Sequence, residues 1–158
     1  MTTSQLYHVE TTRFGPVEVE TGLTLTLPDG LIGFEDCRRY AVLCHDDRSP
    51  FRWLQCLDDG AVAFPVMEAQ LILPGYQPTI RPCDLAELGL DEDAEVLVLA
   101  IVTVPRGNPR AMTANLLGPV VVNPKTRVGK QVILEDEDRY TTRFDLVPAL
   151  SGALAAAA

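Results

Sequence analysis

The run Val96 to Val104 reads Val-Leu-Val-Leu-Ala-Ile-Val-Thr-Val. A strand that is almost all aliphatic has no polar face to turn to water, so the fold must cover it on both sides. The run stops at Pro105, and Gly107, Asn108 and Pro109 supply the following turn. Similar punctuation recurs throughout: twelve Pro and eleven Gly divide the 158 residues into short pieces, several of which alternate with a period of two. Val17, Val19, Leu23, Leu25 and Leu27 fall on odd positions and Glu18, Glu20, Thr24 and Thr26 on even ones, as in a half-buried strand, with Gly22 marking a turn or bulge.

Further strands are expected at Tyr40 to Cys44, Phe51 to Leu57 and Ala61 to Val66. The last two are joined by Asp58, Asp59 and Gly60, a hairpin signal in which Asp-Gly supplies positive φ angles. Leu31 to Arg39 reads as a loop with a short helical turn. Asp84 and Glu87 have capping-box spacing, and Gly89 follows as a stop, which predicts one short helix with Leu85 and Leu88 on its buried side. Met112 to Leu116, Val120 to Val122 and Lys130 to Leu134 complete about nine strand candidates. The expected fold is all-β and mainly antiparallel, a compact barrel-like or sandwich domain with one or two short helices. The length suits a single β domain over residues 1–146, followed by an Ala-rich tail over 147–158.

Charge narrows the function. Thirteen Lys and Arg against twenty-two Asp and Glu give a net charge of -9, which repels phosphate and anionic lipid, so neither direct nucleic-acid binding nor membrane binding is expected. The excess lies in residues 1–100, with six basic and seventeen acidic side chains for a net of -11, whereas residues 101–158 carry seven and five for +2. Such a face suits a basic protein partner, or serves solubility. Met1 to Gly15 has no basic start followed by an apolar stretch of the secretory kind, and the longest apolar run, Val96 to Val102, is far below the roughly 20 residues a spanning helix needs, so a cytoplasmic location is expected.

Signals for chemistry are weak. Cys37, Cys44, Cys56 and Cys83 lack the close pairing of zinc or redox motifs and read as reduced, mostly buried thiols. No glycine loop precedes a lysine to cradle phosphate, and no cofactor or metal is expected. His45, beside Asp46 and Asp47, is the one centre on which a small hydrolase could be built. A small-molecule barrel is a weaker possibility, requiring an enclosed apolar cavity. A binding module is favoured over an enzyme.

Two ordered blocks carry a family resemblance. Leu27, Pro28, Asp29, Gly30, Leu31, Ile32, Gly33, Phe34 and Glu35, then Phe51, Arg52, Trp53, Leu54 and Gln55, resemble the signature of the flagellar assembly factor FliW family. Asn115, Leu116, Gly118, Pro119, Val120, Val121, Val122, Asn123 and Pro124, then Arg127, Gly129, Gln131, Val132, Leu134 and Tyr140, resemble its C-terminal half. The similarity covers about residues 8–146; the cysteines and the Ala-rich end fall outside the pattern.

The resemblance implies a non-enzymatic regulator that binds newly made flagellin and also the translational repressor CsrA, switching between them and so relieving repression of flagellin translation. A monomer is expected. An acidic protein can dock beside the basic surface of an RNA-binding repressor, which directs attention to Asp46, Asp47, Asp58, Asp59, Asp91, Glu92 and Asp93. Phe34, Phe51 and Trp53 are candidates for an apolar groove that takes flagellin, or else core residues. Asn115, Asn123 and Arg127 are expected to form turns.

Overall fold

The computed structural model describes residues 5–44 and 48–148, so His45, Asp46 and Asp47 lie outside the described residues. The chain opens with an antiparallel hairpin of Leu6–Thr11 (β1) and Gly15–Glu20 (β2). Its turn is fastened by Thr11, whose Oγ1 donates to the Gly15 carbonyl at 2.8 Å and accepts from the Phe14 amide at 2.8 Å. After a 3-10 turn over Thr21–Leu23 come the strands Leu25–Thr26 (β3), Arg39–Leu43 (β4), Arg52–Cys56 (β5) and Ala63–Glu68 (β6). Two short helices, Ala69–Ile72 (α1) and Pro82–Glu87 (α2), lead to Leu97–Thr103 (β7). Thr113–Ala114 (β8), Val120–Asn123 (β9), Val128–Gln131 (β10) and Phe144–Asp145 (β11) follow.

The sheet closes on itself. Strands β3, β4, β5, β6, β7, β9 and β10 pair in that order, and β10 returns to β3 through Val128 opposite Thr26. That seam is the barrel's parallel pairing; its other pairings are antiparallel. Of the two expected architectures, the chain adopts the barrel, in which each strand of the ring pairs with a neighbour on both sides over part of its length. β8 and β11 extend the sheet from the far end of β7.

β7 is apolar on both sides because it separates two cores. Leu99, with the partly buried Leu97 and Ile101, faces the barrel interior, which Leu25, Leu27, Tyr40, Leu54, Val66, Val120 and Val122 fill. Ala100 and Val102, with the partly buried Val98, face outward into a second core of Met67, Ile72, Tyr76, Leu88, Leu116, Val121, Leu134, Tyr140 and Leu146. α1, α2 and the C-terminal segment bring these residues over the outer face. β9 repeats the division, with Val120 and Val122 inward and Val121 outward. The filled interior disfavours a ligand-holding barrel.

Local details depart from the sequence pattern in instructive ways. Leu23 keeps the odd-position alternation but sits in the 3-10 turn, 54% exposed. Asp84 does not cap α2: Arg81 is the cap position and Pro82 the first helical residue, so Asp84 stands inside the helix. The glycine stop is real. Gly89 has φ +70, its amide donates to the Ala86 carbonyl at 3.0 Å, and the Leu90 amide reaches the Leu85 carbonyl at 2.8 Å, forming a Schellman closure. Cys37 and Cys56 are buried, but Cys44 and Cys83 are exposed.

The β5–β6 hairpin exists, yet Gly60 does not have a positive φ. Glycine is required there because a Cβ would overlap the Glu10 carbonyl oxygen. The Gly60 carbonyl accepts from the Thr12 amide at 3.1 Å and from Gln55 Nε2 at 3.2 Å. Gly60 is therefore the point where the β1–β2 hairpin lies down on the barrel. Arg13 then stacks over the Trp53 ring at 4.1 Å, Phe14 meets its edge at 6.0 Å between centroids, and Arg39 reaches the Tyr7 ring at 5.3 Å.

Replacing Gly60 with Ala should lift this hairpin and lower stability by about 1–3 kcal/mol. Trp53 is the chain's single Trp, so its emission should move to longer wavelength as Arg13 and Phe14 withdraw. Gly22→Ala, where nothing lies within 4 Å of the added carbon, should leave both the denaturation midpoint and the emission unchanged.

Candidate functional site: an acid-rimmed groove beside β7

After β6 the chain departs through α1 and a turn at Gly75 (φ +88), runs along the barrel as Gln77 to Ile80, and enters α2. It returns through Asp91 to Glu95 into β7. These two arms and the start of β7 enclose an open groove of about 750 Å³. Ile80, Leu85, Val96, Val98 and Pro124 give it an apolar floor, and Glu68, Asp91, Glu92 and Glu95 are its charged lining residues. Among the described residues no Lys or Arg lines it, so the groove has one sign of charge.

The walls are fixed by polar contacts that run from the buried core to the surface. Tyr76 donates its hydroxyl to the Leu116 carbonyl at 2.6 Å and packs edge-on against Tyr140, 4.6 Å between centroids. The Tyr140 hydroxyl accepts from the Gln77 amide at 3.1 Å, and Asp136 accepts from the Thr79 amide at 3.2 Å. Burial among these groups raises the Tyr76 hydroxyl well above the ordinary tyrosine range, with the neighbouring Tyr140 adding to the effect. On the other side, Asn123 Nδ2 donates to the Leu88 carbonyl at 2.8 Å and holds the end of α2 to β9.

α2 is anchored by an ion-pair network. The Asp84 carboxylate, 1% exposed, accepts from Lys130 Nζ at 2.7 Å and Arg81 Nε at 3.1 Å, and Lys130 also reaches Glu87 at 2.6 Å. Burial alone would raise the Asp84 pKa, but hydrogen bonds from Lys130 and Arg81, together with their charges, outweigh it and hold the carboxyl below the usual range. Bonds to Asp84 and Glu87 push the Lys130 ammonium higher. This network holds Leu85 against the groove.

The sequence-derived candidates disperse over the surface. Asp91 and Glu92 line the groove, and the exposed Asp93 stands beside it, its amide donating to Asp91 Oδ1 at 3.0 Å. Asp58 lies elsewhere, in a shallow cleft with Arg38 and Arg39, and its carboxylate accepts their backbone amides at 2.8 and 2.9 Å. Asp59 closes its own turn by accepting from the Ala61 amide at 3.0 Å. The pair Asp46 and Asp47 falls outside the described residues, as does His45.

Phe34, Phe51 and Trp53 do not form one surface. Phe34 is 41% exposed and packs edge-on against Phe64 at 4.9 Å. Phe51 is half-buried against the outer core, and Trp53 is half-buried under Arg13 and Phe14. Sequence reasoning missed Glu68, Glu95, Ile80 and Val98. Glu95 follows the acidic run Asp91 to Asp93 and Val98 lies in the apolar run that opens at Val96, so that junction was visible; the approach of Glu68 and Ile80 to it was not.

The motif residues of the C-terminal block are turn formers. Asn115 Oδ1 accepts from the Leu117 and Gly118 amides at 3.1 and 2.7 Å. Asn123 Oδ1 accepts from Lys125 at 3.0 Å, and Arg127, at φ 61, donates Nη2 to the Leu23 carbonyl at 2.9 Å. Gln131 joins the two blocks: its Oε1 accepts from the Ile32 amide at 2.9 Å and its Nε2 donates to the Gly118 carbonyl at 3.0 Å.

The arrangement defines a small closed β-barrel with a second core and a groove built on one outer face. The FliW protein family model matches residues 8–146. The flagellar assembly factor FliW of Syntrophus aciditrophicus is 40% identical over 139 residues, 88% of this chain and 87% of that protein. FliW of Leptospira biflexa is 38% identical over 142 residues, 90% of this chain and 92% of that protein. A crystal structure of the flagellar assembly factor FliW superposes with a TM-score of 0.78 at 29% identity, covering 88% of this chain and 96% of that one.

The chain belongs to the FliW family. Its relatives are flagellar assembly factors and not enzymes, and the hydrolase reading centred on His45 is set aside on that ground. Among the described residues no helix is long and apolar enough to cross a membrane.

Lys130→Met should lower stability by about 3 kcal/mol, because it leaves the buried Asp84 carboxylate with Arg81 alone. Asp84→Asn tests the same network through pH. A carboxyl held below its ordinary value contributes stability that is fully present above about pH 4 and is lost as pH falls through the depressed value. The difference in urea midpoint between wild type and Asp84→Asn should therefore be largest near neutral pH and close under acid conditions.

Proposed function

We propose that this protein is a cytoplasmic partner-switching regulator of flagellin supply. It binds unassembled flagellin in a chaperone-like manner; when flagellin is exported, the released protein binds the translational repressor CsrA and relieves repression of flagellin translation. The observation that carries the reading is membership of the FliW family across residues 8–146. The geometry supports it in kind, since an apolar floor framed by carboxylates suits protein segments and not phosphate-rich ligands. The switch needs only a difference in binding free energy between states, with no bond made or broken.

The test is a competition pull-down with purified flagellin and CsrA over a range of salt. Flagellin should displace CsrA from the immobilised protein. CsrA retention should fall more steeply with salt than flagellin retention, because charge carries the first contact and apolar burial the second. Failure to retain either protein, or simultaneous saturation by both, overturns the switch; an equal salt response overturns the division of forces.

A further inference from the structure

We propose that the groove is a strand-addition site, in which an extended segment of a protein partner lies along the edge of β7, apolar side chains on the floor and Lys or Arg side chains among the rim carboxylates. The proposal rests on the reading above that the protein works by holding other proteins, and it says how one is held.

The open edge follows from register. β6 pairs with β7 through Val66 opposite Ile101, Met67 opposite Ala100 and Glu68 opposite Leu99, and then the chain turns away into α1. β7 continues back to Leu97, where β9 still pairs with Leu97 and Val98 on the other side. Among the described residues, Leu97 and Val98 therefore have a strand neighbour on one side only. The barrel is closed around its ring, yet it is open at this corner. Val96, Leu97 and Val98 all line the groove, so the one-sided stretch of β7 faces the space a guest segment would occupy.

Strand addition draws affinity from main-chain hydrogen bonds and specificity from pockets that alternate with the side chains of the guest. The groove supplies both kinds of pocket. Val96, Val98, Ile80 and Leu85 offer an apolar surface, and Glu68, Asp91, Glu92 and Glu95 offer carboxylates that no basic lining residue among the described residues answers. Charge complementarity thus selects a basic guest over an acidic one. A metal ion is a poor alternative occupant, since among the described residues no group of His, Cys, Asp or Glu is arranged to hold one.

The test uses the full-length protein and three fluorescein-labelled peptides of about ten residues, enough to span the edge at ~3.4 Å per residue. One alternates Lys with Val, one alternates Glu with Val, and one is the Lys-Val peptide N-methylated at every second residue to block main-chain pairing. Fluorescence anisotropy should show binding of the Lys-Val peptide, none of the Glu-Val peptide, and about tenfold or greater weakening on N-methylation. The double variant Glu92→Lys, Glu95→Lys should weaken the Lys-Val peptide by about tenfold or more, while Glu20→Lys, on the distant hairpin, should leave it unchanged.

Equal binding of the N-methylated peptide, equal binding of the Glu-Val peptide, or an unaffected double variant overturns the proposal. Capture of flagellin and CsrA by the unaltered protein is measured alongside. If both proteins are captured and the Lys-Val peptide is not, strand addition fails and the partner-holding reading stands. If the peptide binds by the stated criteria and neither protein is captured, the partner-holding reading fails and the strand-addition site stands.

Discussion

A strand with no polar face has to be covered twice, and β7 imposes that requirement on the rest of the molecule. Its inward side chains, Leu97, Leu99 and Ile101, are covered by closing the sheet into a barrel; its outward ones, Val98, Ala100 and Val102, need a second layer that the barrel alone cannot provide. α1, α2 and the segment ending at Leu146 supply that layer. Cover is complete over Ala100 and Val102, both buried, and incomplete over Val96 and Val98, which remain half-buried. The groove is the part of the outer face that the second layer does not reach.

The same two-sided demand explains which elements were legible in the sequence. β4, β5, β6 and β9 carry apolar runs or alternation strong enough to place them within two residues. β1 was not legible: Tyr7 and Val9 alternate with His8 and Glu10, but most of the strand packs against β2 and not into either core, so the apolar signal is faint. α1, with four residues, is shorter than a helical period needs for detection. Asp84 and Glu87 have the spacing of a cap, but that spacing also places both carboxylates on one side of α2, where Lys130 bridges them. A one-dimensional pattern cannot distinguish these uses, because Lys130 is 46 residues from Asp84. Gly60 gives a parallel case: Asp-Gly pointed to backbone torsion, whereas the constraint is the carbonyl of Glu10 from another strand.

The candidate site was half legible for the same reason. Asp91, Glu92 and Asp93 stood out as a run, and the adjoining apolar stretch marked a strand, so one wall and part of the floor could be read directly. Glu68 reaches that wall through the β6–β7 pairing opposite Leu99, and Ile80 only after Tyr76 and Tyr140 pin the outgoing arm that follows α1. The family blocks reach the groove at Pro124. They mark the joints that shape the barrel, with Gln131 tying Ile32 to Gly118 and Asn123 tying α2 to β9.

The basic side chains that flank α2 decide what the groove presents. Arg81 and Lys130 are close enough to soften its charge, but the buried Asp84 carboxylate takes hydrogen bonds from both, and Glu87 takes another from Lys130. Arg81 is half exposed, but its charge and that of Lys130 are matched by Asp84 and Glu87, and Glu68, Asp91, Glu92 and Glu95 face solvent with no basic lining residue among the described residues. Exposed carboxylates of this kind each contribute little to affinity, at most about 1 kcal/mol. Collectively they raise the rate of encounter with a basic segment and repel an acidic one, while the half-buried valines set how long a segment stays. Under the partner switch proposed above, a surface divided in this way would favour rapid capture with a modest hold, and a modest hold would let one partner give way to another as their concentrations change.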